Sequence, residues 1–329
     1  MRPAVPALSS PFADAIIQFI EHKRVLGRRY DTEMLALRLF DRYLVEQRIG
    51  AIADLTPDMV EAFLLSRPRR RPRSFNHLLG VMRRFFTWLV SRGHIPRSPV
   101  HTPTRRAGAP RIPFILSPDH VRGLLGWAAR LREVPGTTLR GPTYYTGFAV
   151  LYALGLRVGE VCRLTVSDVD RRRSLLVIRD TKFGKDRLVP FGPRLGETLD
   201  RYLRLRRASD PHLRNDAPLF TIWSGLPLTR QAFGTVFRDI LPHLKLVIPT
   251  DASRPRVHDL RHSFAVGTLL RWYRSGADPA ARLLHLSTFL GHVQPESTAV
   301  YLTITADLLA EAGGRFEALA RPLVTAVPR

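Results

Sequence analysis

Apolar positions recur at helical spacing through most of the chain. Phe12, Ile16, Ile17, Phe19 and Ile20 form a first set, Leu35, Leu37, Leu39, Phe40 and Leu44 a second, and Val60, Phe63 and Leu64 a third. Each set would line one face of a helix, and polar breaks separate them. A further helix over residues 75–90 closes this region. From Gly93 through Arg111 the sequence GHIPRSPVHTPTRRAGAPR gathers proline, glycine and arginine, which marks a connection rather than an element. The expected organisation is a helical N-terminal domain over residues 1–105, a linker at 106–112 and a larger domain over 113–329. A chain of 329 residues is long enough for two hydrophobic cores.

Beyond the linker the helical period is interrupted once. Ser174 to Arg179 and Arg187 to Phe191 are short β-rich runs on either side of Thr181-Lys-Phe-Gly-Lys-Asp186, the pattern of a hairpin. Helical spacing resumes at 196–205, 229–244, 259–273, 280–290 and 305–319. The expected fold class is therefore mainly α with a small antiparallel β-sheet, in two domains. Too few strands are available for a doubly wound parallel sheet. No repeat of 20–50 residues is found.

Charge changes the picture. Against 28 acidic residues stand 51 lysines and arginines, a net charge of +23, which would hold a polyanion and steer its approach. No apolar run approaches the ~18–20 residues of a membrane-spanning helix, and the first residues lack a signal peptide's continuous apolar stretch. A cytoplasmic protein with a nucleic-acid partner and no membrane association is expected. Cys162 stands alone, so there is no intrachain disulfide and no cysteine-based zinc site; it reads as a small core residue. From Arg67 to Arg106 the chain carries many arginines and no acidic residue. Arg67, Arg69, Arg70, Arg71, Arg73, Arg83 and Arg84 are candidates for phosphate contact. Solvated faces usually mix signs, whereas an unrelieved positive run repels itself unless phosphates neutralise it. Such contacts position DNA rather than read its sequence.

Four segments carry residues whose types suit phosphoryl transfer on a DNA diester without metal. In Leu154-Gly-Leu-Arg-Val-Gly-Glu-Val161, Gly155 can end one helix and Arg157 opens the next, three residues before Glu160. The pair could hold a phosphate oxygen or be a surface ion pair. Lys182 lies on the hairpin turn, where it could protonate a leaving oxygen; a lysine in a turn is usually only solvated, and Lys185 competes with it. In Val257-His-Asp-Leu-Arg-His-Ser-Phe-Ala265, His258 and Arg261 are i, i+3 on one helical face, and His262 is expected to face elsewhere. Two arginines suit a pentacoordinate phosphorane, whose extra negative charge preorganised donors stabilise. In Phe289-Leu-Gly-His-Val-Gln-Pro-Glu-Ser-Thr-Ala-Val-Tyr301, His292 follows a helix-ending Leu-Gly and Tyr301 stands nine residues later on a following helix. A phenol is a poor nucleophile unless its proton is withdrawn or cations stabilise the phenolate; a tyrosine here could equally be core.

Taken together, Gly-Leu-Arg-x-Gly-Glu, the lysine-bearing hairpin, His-x-x-Arg-His, Leu-Gly-His and the tyrosine nine beyond resemble the tyrosine recombinase, or phage-integrase, family over residues 113–319. The segment ending Met82-Arg-Arg-Phe-Phe-Thr-Trp-Leu-Val90 looks like that family's helical core-binding domain. The resemblance implies that Arg157 and Arg261 clamp the scissile phosphate, Lys182 is general acid, His258 general base and Tyr301 the nucleophile. It further implies that His292 bonds the phosphate and that Glu160 supports the site. It implies a site-specific recombinase acting on double-stranded DNA through a 3′-phosphotyrosine and a Holliday junction, as a homo-tetramer, with neither metal nor cofactor. The stretch Ala281-Arg-Leu-Leu-His-Leu-Ser-Thr-Phe-Leu-Gly-His292 is similar to a transposon-borne branch whose members often act with sister recombinases. The tail bearing Leu308, Leu309, Ala312, Phe316 and Leu319 looks like a helix that docks on a neighbouring protomer, or packs within its own chain. A catalytically silent DNA-binding regulator and a nicking-closing topoisomerase of type IB are the alternatives.

Overall fold

The computed structural model describes residues 8–69, 71–106, 108, 112–179, 186–222, 225–248, 253–292, 294 and 296–303. The chain divides into two compact units, residues 1–110 and 111–329.

The first unit is built from α1 (Ala13–Val25), α2 (Asp31–Glu46), α3 (Pro57–Ser66) and α4 (Pro72–Ser91). Proline opens α3 and α4, where a missing N–H costs nothing, and the Thr56 hydroxyl accepts from Met59 N at 3.3 Å to cap α3. The apolar sets meet in one core of rings. Phe12, Phe19, Phe40, Phe63, Phe85 and Phe86 are fully buried, and most of their contacts are edge-on or tilted, with centroids 5.1 to 6.4 Å apart, the arrangement the ring quadrupole favours.

The second unit contains α5 (Pro118–Ala129), α6 (Arg140–Leu154), α7 (Val158–Val161), α8 (Pro193–Ser209), α9 (Arg230–Ile240), α10 (Asp259–Arg274), α11 (Pro279–Leu290) and α12 (Glu296–Ala299). Strands β1 (Val169–Asp170), β2 (Leu175–Ile178) and β3 (Arg187–Pro190) form an antiparallel sheet in that order, with Leu175 opposite Pro190 and Ile178 opposite Arg187. A second pair joins β4 (Thr221–Ile222) to β5 (Leu226–Pro227). The architecture is mainly α with a small antiparallel sheet, as expected. β1, β4 and β5 went unforeseen because two residues show no period. The helix expected over 229–244 divides at Ile240, where a 3₁₀ turn Leu241–Leu244 takes over; Pro242 lacks the N–H an α-helix would require.

Long buried helix α6 packs against α5, α8 and α10, and the main core surrounds Phe148, Leu151, Tyr202, Phe220, Phe233 and Phe237. Cys162 is half-buried against it, where burial raises the thiol to about 11. A smaller core of Ala265, Val266, Leu269, Leu286 and Leu290 includes Tyr301. No described helix is long and apolar enough to cross a membrane.

Candidate active site

Two helices end in the same way, and their ends set the site. α6 stops at Gly155 and α11 at Gly291, both left-handed, with φ of +58° and +69°. A Cβ on Gly155 would lie 2.5 Å from the ring of Phe264, so that position needs glycine for both conformation and space; Gly291 needs it for conformation, and a Cβ there would also press on the guanidinium of Arg187 at 2.9 Å. The last carbonyls of a helix lack partners within it, and arginines take them here. Arg261 is 1% exposed and donates to Gly155 O at 2.8 Å and to Leu290 O at 2.9 Å. Arg157, half-exposed at the N-cap of α7, donates to Gly291 O at 3.0 Å.

Glu160 joins the second layer. Its Oε1 accepts from Arg157 Nη1 at 2.9 Å and its Oε2 from Arg157 N at 2.8 Å. Arg187 reaches the same carboxylate from β3 with two bonds of 2.9 Å. Burial alone would raise the pKa of Glu160, but the hydrogen bonds and charge of Arg187, followed by those of Arg157, outweigh it and hold the carboxyl at about 2.

Two imidazoles flank the phenol, and a third stands against one of them. Tyr301, on a 3₁₀ turn (Val300–Thr303) just after α12, is 3% exposed. Its hydroxyl lies 2.8 Å from His262 Nδ1. His292 stacks nearly parallel to the Tyr301 ring at 6.5 Å, and its Nδ1 is 2.7 Å from the hydroxyl of buried Thr298. His258 sits at the start of α10, edge-on to His262 at 4.8 Å. Burial and then the charges of Arg261, Arg256 and Arg157 hold His258 at about 4; burial with Arg261 and Arg157 does the same to His292. Both imidazoles are therefore neutral near pH 7. The phenol of Tyr301 is raised by burial, against the opposing pull of Arg261 and Arg157.

The structure thus brings together Arg157, Glu160, His258, Arg261, His292 and Tyr301 from segments far apart in sequence. Lys182 and the tail residues Leu308, Leu309, Ala312, Phe316 and Leu319 lie outside the described residues. One expectation is overturned: His262 does not face away but touches the Tyr301 hydroxyl, because it stands four residues from His258 and so shares its face of α10. That i, i+4 spacing was the available signal. Arg187 carried no local signal, since its partner lies 27 residues away across the hairpin. Arg163 and Arg230 were also unmarked; with Arg157 and His258 they line an open cleft of about 570 Å³ beside Glu160. In the first unit, Arg71 and Arg73 are exposed and Arg67 and Arg69 half-buried. Arg83 donates to Thr102 O at 2.7 Å and Arg84 to the Tyr30 hydroxyl at 3.2 Å, while Arg70 is outside the described residues. Among the described residues no group of His, Cys, Asp or Glu is placed to hold a metal ion.

The family model for the phage integrase family matches residues 131–307. The chain is 35% identical over 316 residues to y4rB of Sinorhizobium fredii (strain NBRC 101917 / NGR234), assigned by name to the integrase/recombinases, covering 94% of this chain and 98% of that protein. It is 31% identical over 229 residues to the tyrosine recombinase XerD of Ralstonia nicotianae (strain ATCC BAA-1114 / GMI1000), covering 70% and 68% respectively. In fold it is similar to the Tn1549 transposon integrase in complex with a circular intermediate DNA, with a TM-score of 0.64 and 20% identity over 95% of this chain and all of that one. The chain belongs to the phage integrase family, the tyrosine-type site-specific recombinases.

Proposed function

We propose that this recombinase cuts and rejoins double-stranded DNA with Tyr301 as nucleophile. The observation that carries this reading is the burial of the Tyr301 hydroxyl against His262, with His292 stacked beside its ring and the charges of Arg261 and Arg157 acting on it. The phenolic oxygen attacks the scissile phosphorus, the P–O5′ bond breaks, and a 3′-phosphotyrosine and a free 5′-hydroxyl result. Arg157 and Arg261 stabilise the charge that develops on the non-bridging oxygens, and Glu160 holds Arg157 in place together with Arg187. His258 and His292, as neutral imidazoles, each have an N–H to offer the same oxygens. Lys182 supplies the proton for the leaving 5′-oxygen. The arginines around Arg71 and Arg73 bind the duplex backbone. Bond energy is kept in the phosphotyrosine, so the 5′-hydroxyl of a partner strand can reverse the step; repeated on a second pair of strands, this gives exchange through a Holliday junction in a tetramer. Similarity to y4rB and to the Tn1549 transposon integrase supports a mobile-element role; the recombinase would act in the cytoplasm, alone or with sister recombinases.

The experiment is to incubate wild type and Tyr301→Phe with nicked duplex from the ends of the host element, without metal, and resolve the products in SDS. Wild type is expected to form a stable protein–DNA adduct and Tyr301→Phe none. An adduct with both proteins, or with neither despite tight binding, overturns the assignment.

A further inference from the structure

The resemblance gave the proton of Tyr301 to His258. The geometry points to another acceptor: we propose that His262 is the general base, taking the phenolic proton on Nδ1 with the carboxylate of Asp259 behind its other nitrogen. This rests on Tyr301 being the nucleophile.

Of the three imidazoles of the site, only His262 has a ring nitrogen at hydrogen-bond distance from the Tyr301 hydroxyl, at 2.8 Å. Nδ1 of His292 is occupied by Thr298, and no hydrogen bond among the described residues joins His258 to Tyr301. A phenol that donates to Nδ1 fixes the tautomer, because the neutral ring then carries its proton on Nε2. That nitrogen faces Asp259 Oδ1 at 4.0 Å. Asp259 is wholly buried and held in place by Arg256, whose backbone N–H donates to Oδ2 at 2.8 Å. Phenol, imidazole and buried carboxylate therefore lie in sequence; at 4.0 Å the carboxylate acts on the ring through its charge, which favours the cationic form, and not through a hydrogen bond. Asp259 and His262 sit i, i+3 on α10, so one helix presents both.

Burial, followed by the charges of His258, Arg256, Arg261 and His292, holds His262 at about 3. The imidazole is thus unprotonated at neutral pH and able to accept. The proton does not leave before attack, since the phenol is far less acidic than the imidazolium in the free protein. It leaves as the P–O bond forms: the attacking oxygen becomes much more acidic while bonded to both phosphorus and hydrogen. The anionic phosphate entering the site offsets the cations that depress His262. The Tyr O–H bond breaks, the P–O(Tyr) bond forms, the P–O5′ bond breaks, and the leaving oxygen takes its proton from Lys182. In the reverse step His262 returns its proton to the departing phenolate.

The test uses the full chain on the nicked duplex described above, following adduct formation in a single turnover for wild type, His262→Ala, His262→Gln and Lys182→Ala, with melting curves to establish that each is folded. Ordinary DNA is compared with DNA carrying sulfur at the 5′ bridging position, a leaving group that needs no proton. His262→Ala is expected to be slower by about 10²-fold or more, to recover in part with added imidazole, and to lose less as pH rises. Sulfur should restore Lys182→Ala but not His262→Ala, because the missing group acts on the nucleophile. His262→Gln, which keeps a hydrogen bond to the phenol but cannot accept its proton, should be as slow as His262→Ala. His262→Ala reacting within a few-fold of wild type, or faster, overturns the proposal, the second result marking the bond as a resting clasp. Full activity of His262→Gln also overturns it and reduces the residue to positioning. If wild type itself makes no adduct, the Tyr301 assignment fails first and this one with it; if wild type reacts and the histidine variants are unaffected, only this one fails.

Discussion

In the N-terminal unit the buried side chains are almost all hydrocarbon: rings from four helices meet edge to face, and Asp41 is the one buried charge among the described residues there. The catalytic unit buries Glu160, Asp168, Arg206, Asp259 and Arg261 as well as its apolar core. Burying charge is expensive even when it is paired, and well-packed apolar groups of similar volume often serve stability as well or better. The N-terminal unit therefore shows what folding alone requires, and the catalytic unit shows what chemistry adds. Part of that charge lies in the proposed site, where Glu160 holds Arg157, and Glu160, kept at about 2, ties the stability of this unit to pH.

The comparison breaks most visibly in the ring core. Phe40→Ala should cost about 3–5 kcal/mol in urea denaturation, and the loss should be the same at pH 8 as at pH 4. A strongly pH-dependent loss would show that the N-terminal unit also leans on titrating groups. Gly155→Ala comes next. Its new Cβ would meet Phe264 and Leu290 at 2.5 and 2.9 Å on a left-handed residue, and overpacking plus the backbone penalty amount to about 2–4 kcal/mol. Adduct formation should fall further than this, measured where the variant is still fully folded, because the carbonyl that holds Arg261 must shift. A stability loss with unchanged cleavage would separate the helix end from the chemistry.

Glu160→Gln has the smallest expected effect, about 1–3 kcal/mol at neutral pH, and is the sharpest test of the pH claim. The folded carboxyl titrates at about 2 and the unfolded one near 4.3, so its contribution is complete above the unfolded value and is lost as pH falls through the folded one. Wild-type stability should therefore drop between roughly pH 5 and pH 2 more steeply than that of the glutamine variant. Parallel curves would remove Glu160 from the account.

Much of this was readable in the sequence, and the division follows the same line. Ring positions at helical spacing mark α1 to α4 because a helix face repeats within the chain. Arg157 with Glu160, and His258 with Arg261, are legible as i, i+3 neighbours on one turn. Arg187 is not, since only the register of β2 against β3 carries it to Glu160. His262 is legible only against His258, one turn away; from adjacent Arg261 it lies one step around the helix, which hides the shared face. The turn bearing Tyr301 was expected to be a regular helix, but α12 lasts only four residues before the chain tightens.

The glycine-ended helices have an electrical consequence. Their carbonyls anchor Arg157 and Arg261 through dipoles, which hold a cation without cancelling it, and among the described residues Glu160 is the one full negative charge bonded within the group of Arg157, Arg187 and Arg261. Folding therefore fixes surplus cations in place as an ion-exchange resin does, with the counterion supplied from outside. A resin of this kind does not distinguish a phosphodiester from other small oxyanions that fit between its fixed charges, so inorganic phosphate and sulfate should displace DNA from the site at concentrations where chloride of equal ionic strength does not.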